Sequence, residues 1–219
     1  MAKLCATTVI FALCVIASVF AWTSNSEAVF DNFGYSTNNL LEGKFYVLFT
    51  SIFLHSDLSH LVSNMFVLLV FGLVLEQEIG CQRYLMLFFG GAFFGDLLSS
   101  LIYPPMVPAI GASGGVFSIL AATMLIKPVP MEGFMPIPLG VIAVGYIMYA
   151  IFGLITNYPP HVSHIAHLGG ALVGLMYGCK KTGLKNTLTL LIVFAFLLIF
   201  VPVIWNTWAI IFQLLLGSP

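Results

Sequence analysis

The chain has 219 residues, 60% of them hydrophobic and only 7% charged, with a formal net charge of −1. A soluble domain carries about 25% charged residues, so this chain lacks the means to present a wettable surface and reads as a polytopic membrane protein. No basic patch suits nucleic acid, and no glycine loop with its lysine is present to cradle phosphate.

A spanning helix takes about 20 mostly apolar residues. Leu4 to Trp22 supplies the first. It is too long for a signal peptide's apolar region, about 7–15 residues, and ends in Trp22, an interfacial anchor, so it reads as a retained helix. Thr23 to Lys44 reads as a polar loop carrying Glu27, Asp31 and Glu42. Phe45 to Leu54 is apolar but too short to cross, and is expected in the interface. The second span runs from about Leu58 to Leu75, before Glu76-Gln77-Glu78-Ile79-Gly80. The third runs from Tyr84 to Tyr103, closed by Pro104 and Pro105, and the fourth from Gly111 to Ile126.

Lys127 to Pro138 is a proline-bearing loop, and the fifth span continues to about Leu154. Asn157-Tyr158-Pro159-Pro160 breaks it, and the sixth runs from Ser163 to Gly178. The last apolar run, Leu188 to Leu216, is too long for one upright span. Pro202, Trp205 and Trp208 predict a seventh helix ending near Trp208, with a tilted or interfacial tail beyond it.

Charge placement gives the orientation. With the amino terminus in the cytoplasm and seven alternating spans, Lys3, Arg83, Lys127, Lys180, Lys181 and Lys185 face inside and Lys44 alone faces outside. The carboxyl terminus is then extracytoplasmic. Cys14 falls within the bilayer and Cys5, Cys81 and Cys179 towards the inner face, so disulfides are not expected. The absence of a long leader points to a prokaryotic cell membrane.

In this topology all five histidines, His55, His60, His161, His164 and His167, sit at or near the outer ends of the second and sixth spans. Ser113 sits at the outer end of the fourth. His60 and Asn64 are four apart and share a helix face. Ser113 falls in the first turn of its helix, where unpaired N–H groups and the helix dipole favour a developing negative charge. Gly111, Ala112, Gly114 and Gly115 on one side and Gly169, Gly170 and Gly174 on the other allow close backbone approach, Gly170 and Gly174 with small-xxx-small spacing. Close approach can bring a serine oxygen to an imidazole on another helix. His164, one turn earlier on a similar face, is the nearest rival of His167 for that imidazole, and the Leu168-Gly169-Gly170 that follows His167 decides for His167.

Gly111-Ala112-Ser113-Gly114 opening one helix, His60-x-x-x-Asn64 two spans earlier and Ala166-His167-Leu168-Gly169-Gly170 two spans later resemble the rhomboid family of intramembrane serine proteases. The resemblance covers roughly Phe45 to Tyr177. It implies an all-α fold: a six-helix core over residues 1–183 with an additional transmembrane helix and tail over 184–219. It implies Ser113 as nucleophile and His167 as general base in a dyad without a carboxylate. His60 and Asn64 would donate to the oxyanion with the Ser113 N–H, Gly111 would support the turn, and Phe117 would pack on the His167 ring. Glu76 matches a structural acidic position, and the fifth helix with Ile155 to Ser163 would form the gate and cap.

There are two departures from the family pattern. Tyr46-Val47 stands where Trp-Arg is common, and Glu78 where an arginine is common. No cofactor is implied. The histidines lack accompanying carboxylate or cysteine at ligand spacing, so no metal is expected. The expected partners are the lipid bilayer and transmembrane substrates, cut near the outer face. The alternative is a non-catalytic scaffold or chaperone that binds transmembrane clients, in which His60 and Asn64 are merely an interhelical hydrogen-bonding pair. A transporter is disfavoured, since the polar cluster lies towards one face and no repeated halves appear. Asp96, in the third span, is expected to be neutral or to bond to helix neighbours such as Ser99 or Ser100, and no function follows for it.

Overall fold

The structure, a computed structural model, describes residues 5–129, 139–160, 162–196 and 200. The described chain is helical, with one isolated antiparallel bridge between Tyr35 and Ala109. In order the helices are α1 (Ala6–Thr23), α2 (Ser26–Phe33), α3 (Thr37–Leu41), α4 (Val47–Phe53), α5 (Leu58–Ile79), α6 (Cys81–Ser99), α7 (Ser113–Ile126), α8 (Leu139–Thr156), α9 (His164–Thr182) and α10 (Leu184–Phe196). Gly183 separates α9 from α10. His161, Lys3, most of the loop before α8, and Pro202, Trp205 and Trp208 of the expected seventh span lie outside the described residues.

By length and hydropathy, α1, α5 and α8 each suffice to cross a bilayer. Both α6 and α9 have 19 residues but carry glycines, an aspartate or histidines in place of leucine. At 14 residues, α7 is about 21 Å long, short of an apolar layer of about 30 Å. It also buries every residue from Gly114 to Leu125. A helix that is apolar all round belongs inside a bundle, and α7 is the inner helix here, packed most extensively on α9 and then on α6.

Small residues form that packing. A Cβ on Gly170 would run into the Gly114 carbonyl, and one on Gly174 into the Ser118 carbonyl. The glycines of α7 itself face α6: a Cβ on Gly115 would lie 2.7 Å from the Phe88 ring, and one on Gly114 3.1 Å from Ala92 Cα. Gly169, grouped above with the α7 contact, instead abuts α6, where a Cβ would lie 3.0 Å from Gly95 Cα. The glycines therefore close three helices on one another, not two.

Glu76 lies inside α5, which runs to Ile79 rather than stopping at Leu75. Its carboxylate takes the place of a cap for α1. It accepts from Ala6 N–H at 2.7 Å, Thr7 N–H at 2.9 Å, the Thr7 hydroxyl at 2.8 Å and the Cys5 thiol at 2.6 Å. The first amides of a helix have no internal partner and carry its positive dipole end, so an anion here can continue α5 without ending it. Glu76→Ala strands these donors and should lower unfolding stability by about 3 kcal/mol. Glu76→Gln, with a single acceptor oxygen, should fall between, and chemical unfolding in detergent reads both. Unchanged stability in Glu76→Ala would contradict the capping role.

Gly80, at φ +80°, turns the chain from α5 into α6 without a loop. Beside it Glu78, standing where the resemblance favours arginine, pairs with Lys127 at 2.6 Å and ties the ends of α5 and α7. The stretch read as a polar loop folds into α2 and α3, capped by the Asn25 and Ser36 side chains. Asn39 anchors it by donating to the carbonyls of Asp31 (2.8 Å) and Gly34 (3.2 Å), and accepts from Lys44 at 3.1 Å. These contacts anchor the loop although Tyr46-Val47 replaces Trp-Arg.

Candidate active site

A cavity of about 700 Å³ opens at the end of the bundle where α5, α7 and α9 begin. Ser113, His167, His60, Asn64, Phe117 and Gly111 all line it. Residues from six helices, α3 and α5 to α9, and from four of the segments that join helices are thus brought to one space.

Ser113 is the first residue of α7, so its backbone N–H belongs to the amides without an intrahelical partner. Gly111, two residues earlier, has φ +125°, a conformation that side chains strain to adopt. A Cβ there would also lie 2.9 Å from His60 Cε1 and Nε2. Glycine is therefore required twice over, and the turn before Ser113 touches the His60 ring. The Gly111 N–H donates to the Ser51 carbonyl at 2.9 Å, fixing the turn to α4.

His167 lies in the first turn of α9 and stacks on Phe117, with ring centroids 4.3 Å apart and planes 9° from parallel. Its Nδ1 is buried without a hydrogen-bond partner. Stacking, not a carboxylate, holds this imidazole. His164 points elsewhere. It is buried against α8, where a Cβ on Gly153 would collide with its ring, it meets Tyr149 edge-on, and it does not line the cavity. The two rival histidines are thereby separated, and of the two only His167 lines the cavity.

His60 is held from several sides. Its Nδ1 lies 3.1 Å from the Ser56 hydroxyl and 3.4 Å from the Ser56 N–H, which leaves Nε2 towards Gly111. His55 packs edge-on against it at 4.9 Å, with the His55 Nδ1 3.1 Å from the Ser18 hydroxyl of α1. Burial, and then the neighbouring His60, push His55 down to about 3, so its ring is neutral at pH 7. Asn64 donates one amide N–H to the His60 carbonyl at 2.9 Å; its second remains available.

Sequence reasoning missed Asp57, although a Ser-Asp pair before an apolar run is a helix-start signal. Its carboxylate caps α5, accepting from the His60 N–H at 2.9 Å and from the hydroxyls of Ser59 (2.7 Å) and Ser56 (2.8 Å). The Ser59 hydroxyl first, then the His60 N–H, hold it below its ordinary value near 3.8. Asp57→Ala should cost about 1 kcal/mol and Asp57→Asn much less. A depressed carboxylate stabilises the fold above its ordinary pKa and loses that contribution as pH falls through the folded value. The wild-type advantage over Asp57→Ala should therefore hold at pH 7 and shrink below about pH 4, as thermal melts at the two pH values would read.

Residues 42–184 match the family model described as Rhomboid domain. RHOMBOID-like protein 12, mitochondrial, of Arabidopsis thaliana is 31% identical over 172 residues, which cover 68% of this chain and 50% of that protein. Presenilin-associated rhomboid-like protein A, mitochondrial, of Danio rerio is 30% identical over 135 residues, 58% of this chain and 35% of that one. Rhomboid protease GluP of Bacillus subtilis is 28% identical over 156 residues, 70% of this chain and 29% of that one. The chain spans half or less of the length of these relatives.

Proposed function

Since the chain belongs to the rhomboid family, we propose that it is an intramembrane serine endopeptidase that cuts transmembrane segments near the outer face with a Ser113–His167 dyad. The observation that carries this reading is the convergence of Ser113, His167, His60 and Asn64 on one cavity.

Ser113 Oγ attacks the carbonyl carbon of the scissile peptide while His167 takes its proton. The carbonyl oxygen becomes an oxyanion. It accepts from the Ser113 N–H, from the Asn64 amide N–H not bound to His60, and from His60 Nε2, the nitrogen that Ser56 does not engage. The C–N bond then breaks, the leaving amine takes the proton from His167, and an acyl ester remains on Ser113. A water molecule, deprotonated by His167, hydrolyses that ester and restores the serine. A helical backbone hides its carbonyls in hydrogen bonds, so the substrate must unwind locally before this attack. Tyr146 and Tyr149 of α8 and Val162 and Ser163 before α9 line the cavity and serve as gate and cap.

The catalytic unit is residues 1–183, with 184–219 an added helix and tail. The amino terminus faces the cytoplasm, because Arg83, Lys127, Lys180 and Lys181 lie at the helix ends opposite the cavity. We place the chain in the cell membrane. Two relatives carry mitochondrial in their names, and imaging of a fluorescent fusion separates the two locations.

The test of the activity is cleavage of a transmembrane peptide with small, helix-unstable residues by the purified chain in proteoliposomes, with products read by mass spectrometry. One cut near the outer end of the segment is expected. Tight binding of folded protein to the peptide without any cut would establish the scaffold alternative.

A further inference from the structure

Among the described residues, Asp96 is the one carboxylate within a span that has no role in either capping or the proposed chemistry. It lies on α6 and lines the same cavity as Ser113 and His167. The hydroxyls expected to satisfy it are engaged elsewhere. Ser100 Oγ is 2.6 Å from the Tyr35 hydroxyl, and Ser99 Oγ bonds to the Gly95 carbonyl at 3.1 Å and to Ser163 Oγ at 2.8 Å. Among the described residues no hydrogen bond or ion pair reaches its carboxyl.

Among the described residues the cations are distant or engaged, Lys185 lying at the start of α10, beyond the far end of α9. Lys44 pairs with Glu42 at 2.9 Å, and Lys127 pairs with Glu78. Arg83 lies near the other end of α6, about 20 Å away along the axis. Lys180 and Lys181 close the far end of α9.

Neighbouring contacts fix the depth of Asp96. Its helix touches α7 at Ala92, one turn before it, where a Cβ on Gly114 would lie 3.1 Å from Ala92 Cα. It touches α9 at Gly95, where a Cβ would lie 2.6 Å from the Ala166 carbonyl. Gly114 follows Ser113 and Ala166 precedes His167. Asp96 thus stands within about one helical turn, roughly 6 Å of rise, of the contact that carries both.

A half-buried carboxyl with no protein partner on the wall of this cavity is kept neutral by its surroundings until a positive charge arrives to pair with it, and a donor-rich cation from the substrate supplies that charge. We propose that Asp96 is a substrate-selecting residue, receiving a lysine or arginine side chain of the segment being cut, beside the scissile bond. This rests on the protease reading for the identity of the ligand, but the binding it requires does not depend on cleavage. A long basic side chain from an entering segment can lay its methylenes along Val67, Ala92 and Val116 of the cavity wall and reach the carboxylate with its head.

The experiment uses the full chain in proteoliposomes with a set of transmembrane peptides carrying lysine, glutamine or glutamate at each flanking position in turn. Cleavage is measured with wild type, and peptide affinity with Ser113→Ala. At one position lysine should exceed glutamine by about tenfold or more in both measurements, with glutamate weakest. Asp96→Asn should bring the lysine-to-glutamine ratio near unity, Asp96→Glu should keep it, and Asp96→Lys should invert it towards glutamate. A ratio unchanged in Asp96→Asn, or no lysine preference at any position, overturns the proposal. Absence of cleavage by folded wild type would remove the protease reading, and the affinity ratios would still decide on Asp96.

Discussion

Substituting alanine for Ser113 is expected to abolish labelling by a fluorophosphonate probe and to lower peptide cleavage by a factor on the order of 10⁴ or more. His167→Ala should do nearly the same, and the double variant should be no worse than either single one, because nucleophile and base act as a unit. His60→Ala and Asn64→Ala should be milder, each about 10²–10³-fold in kcat with little change in KM, since each removes a single donor to the oxyanion. This pattern distinguishes chemistry from folding. A purely structural role for Ser113, half-exposed to the cavity and bonded to no side chain among the described residues, would leave Ser113→Ala fully active. Labelling of Ser113→Ala at the wild-type level would overturn the dyad.

Much of this arrangement was legible in the sequence, for identifiable reasons. The spans were readable because apolar length and charge asymmetry report directly on the bilayer. The ends were less so. Glu76 looked like the end of the second span, yet α5 passes through it because the amides of α1 meet its carboxylate. Nothing local announces a partner 70 residues away. The helices α2 and α3 were hidden because only 8 and 5 residues long, too short for a periodic signal, though Asn25 and Ser36 are legible caps.

Within the site, three motifs indicated that Ser113, His60, Asn64 and His167 belonged together; helix spacing alone did not separate His167 from His164, and the Leu168-Gly169-Gly170 after His167 made the choice. The physical separation lies in packing. Gly153 leaves a notch that takes the His164 ring, and Phe117 offers a face to His167. For Asp96 the sequence left open a neutral acid or a bond to Ser99 or Ser100, because those hydroxyls are at bonding distance in any helix and only the tertiary structure shows them bonded to other groups.

The second large effect concerns the contact that holds α7 and α9 together. Gly170 has no room for a side chain, because a Cβ would enter the Gly114 carbonyl, a backbone atom that cannot rotate aside. Gly170→Ala must therefore push the two helices apart, at a cost of about 1–3 kcal/mol from overpacking, and Gly170→Val more. The same displacement separates the two ends of the dyad, since Gly114 adjoins Ser113 and Gly170 lies one turn beyond His167. A misplacement of about 1 Å in reacting groups can cost about 10²-fold, so kcat should fall by at least that much even where the variant stays folded. Gly90→Ala and Gly145→Ala are the controls, because a Cβ at either helical position meets nothing within 4 Å. They should be neutral or stabilising by roughly 0.5–1 kcal/mol. Unfolding in detergent and kcat/KM in proteoliposomes, measured on all four variants, separate helix propensity from contact. Should Gly170→Ala match the Gly90 control in both, the close approach of α7 and α9 could not be what brings serine and histidine together.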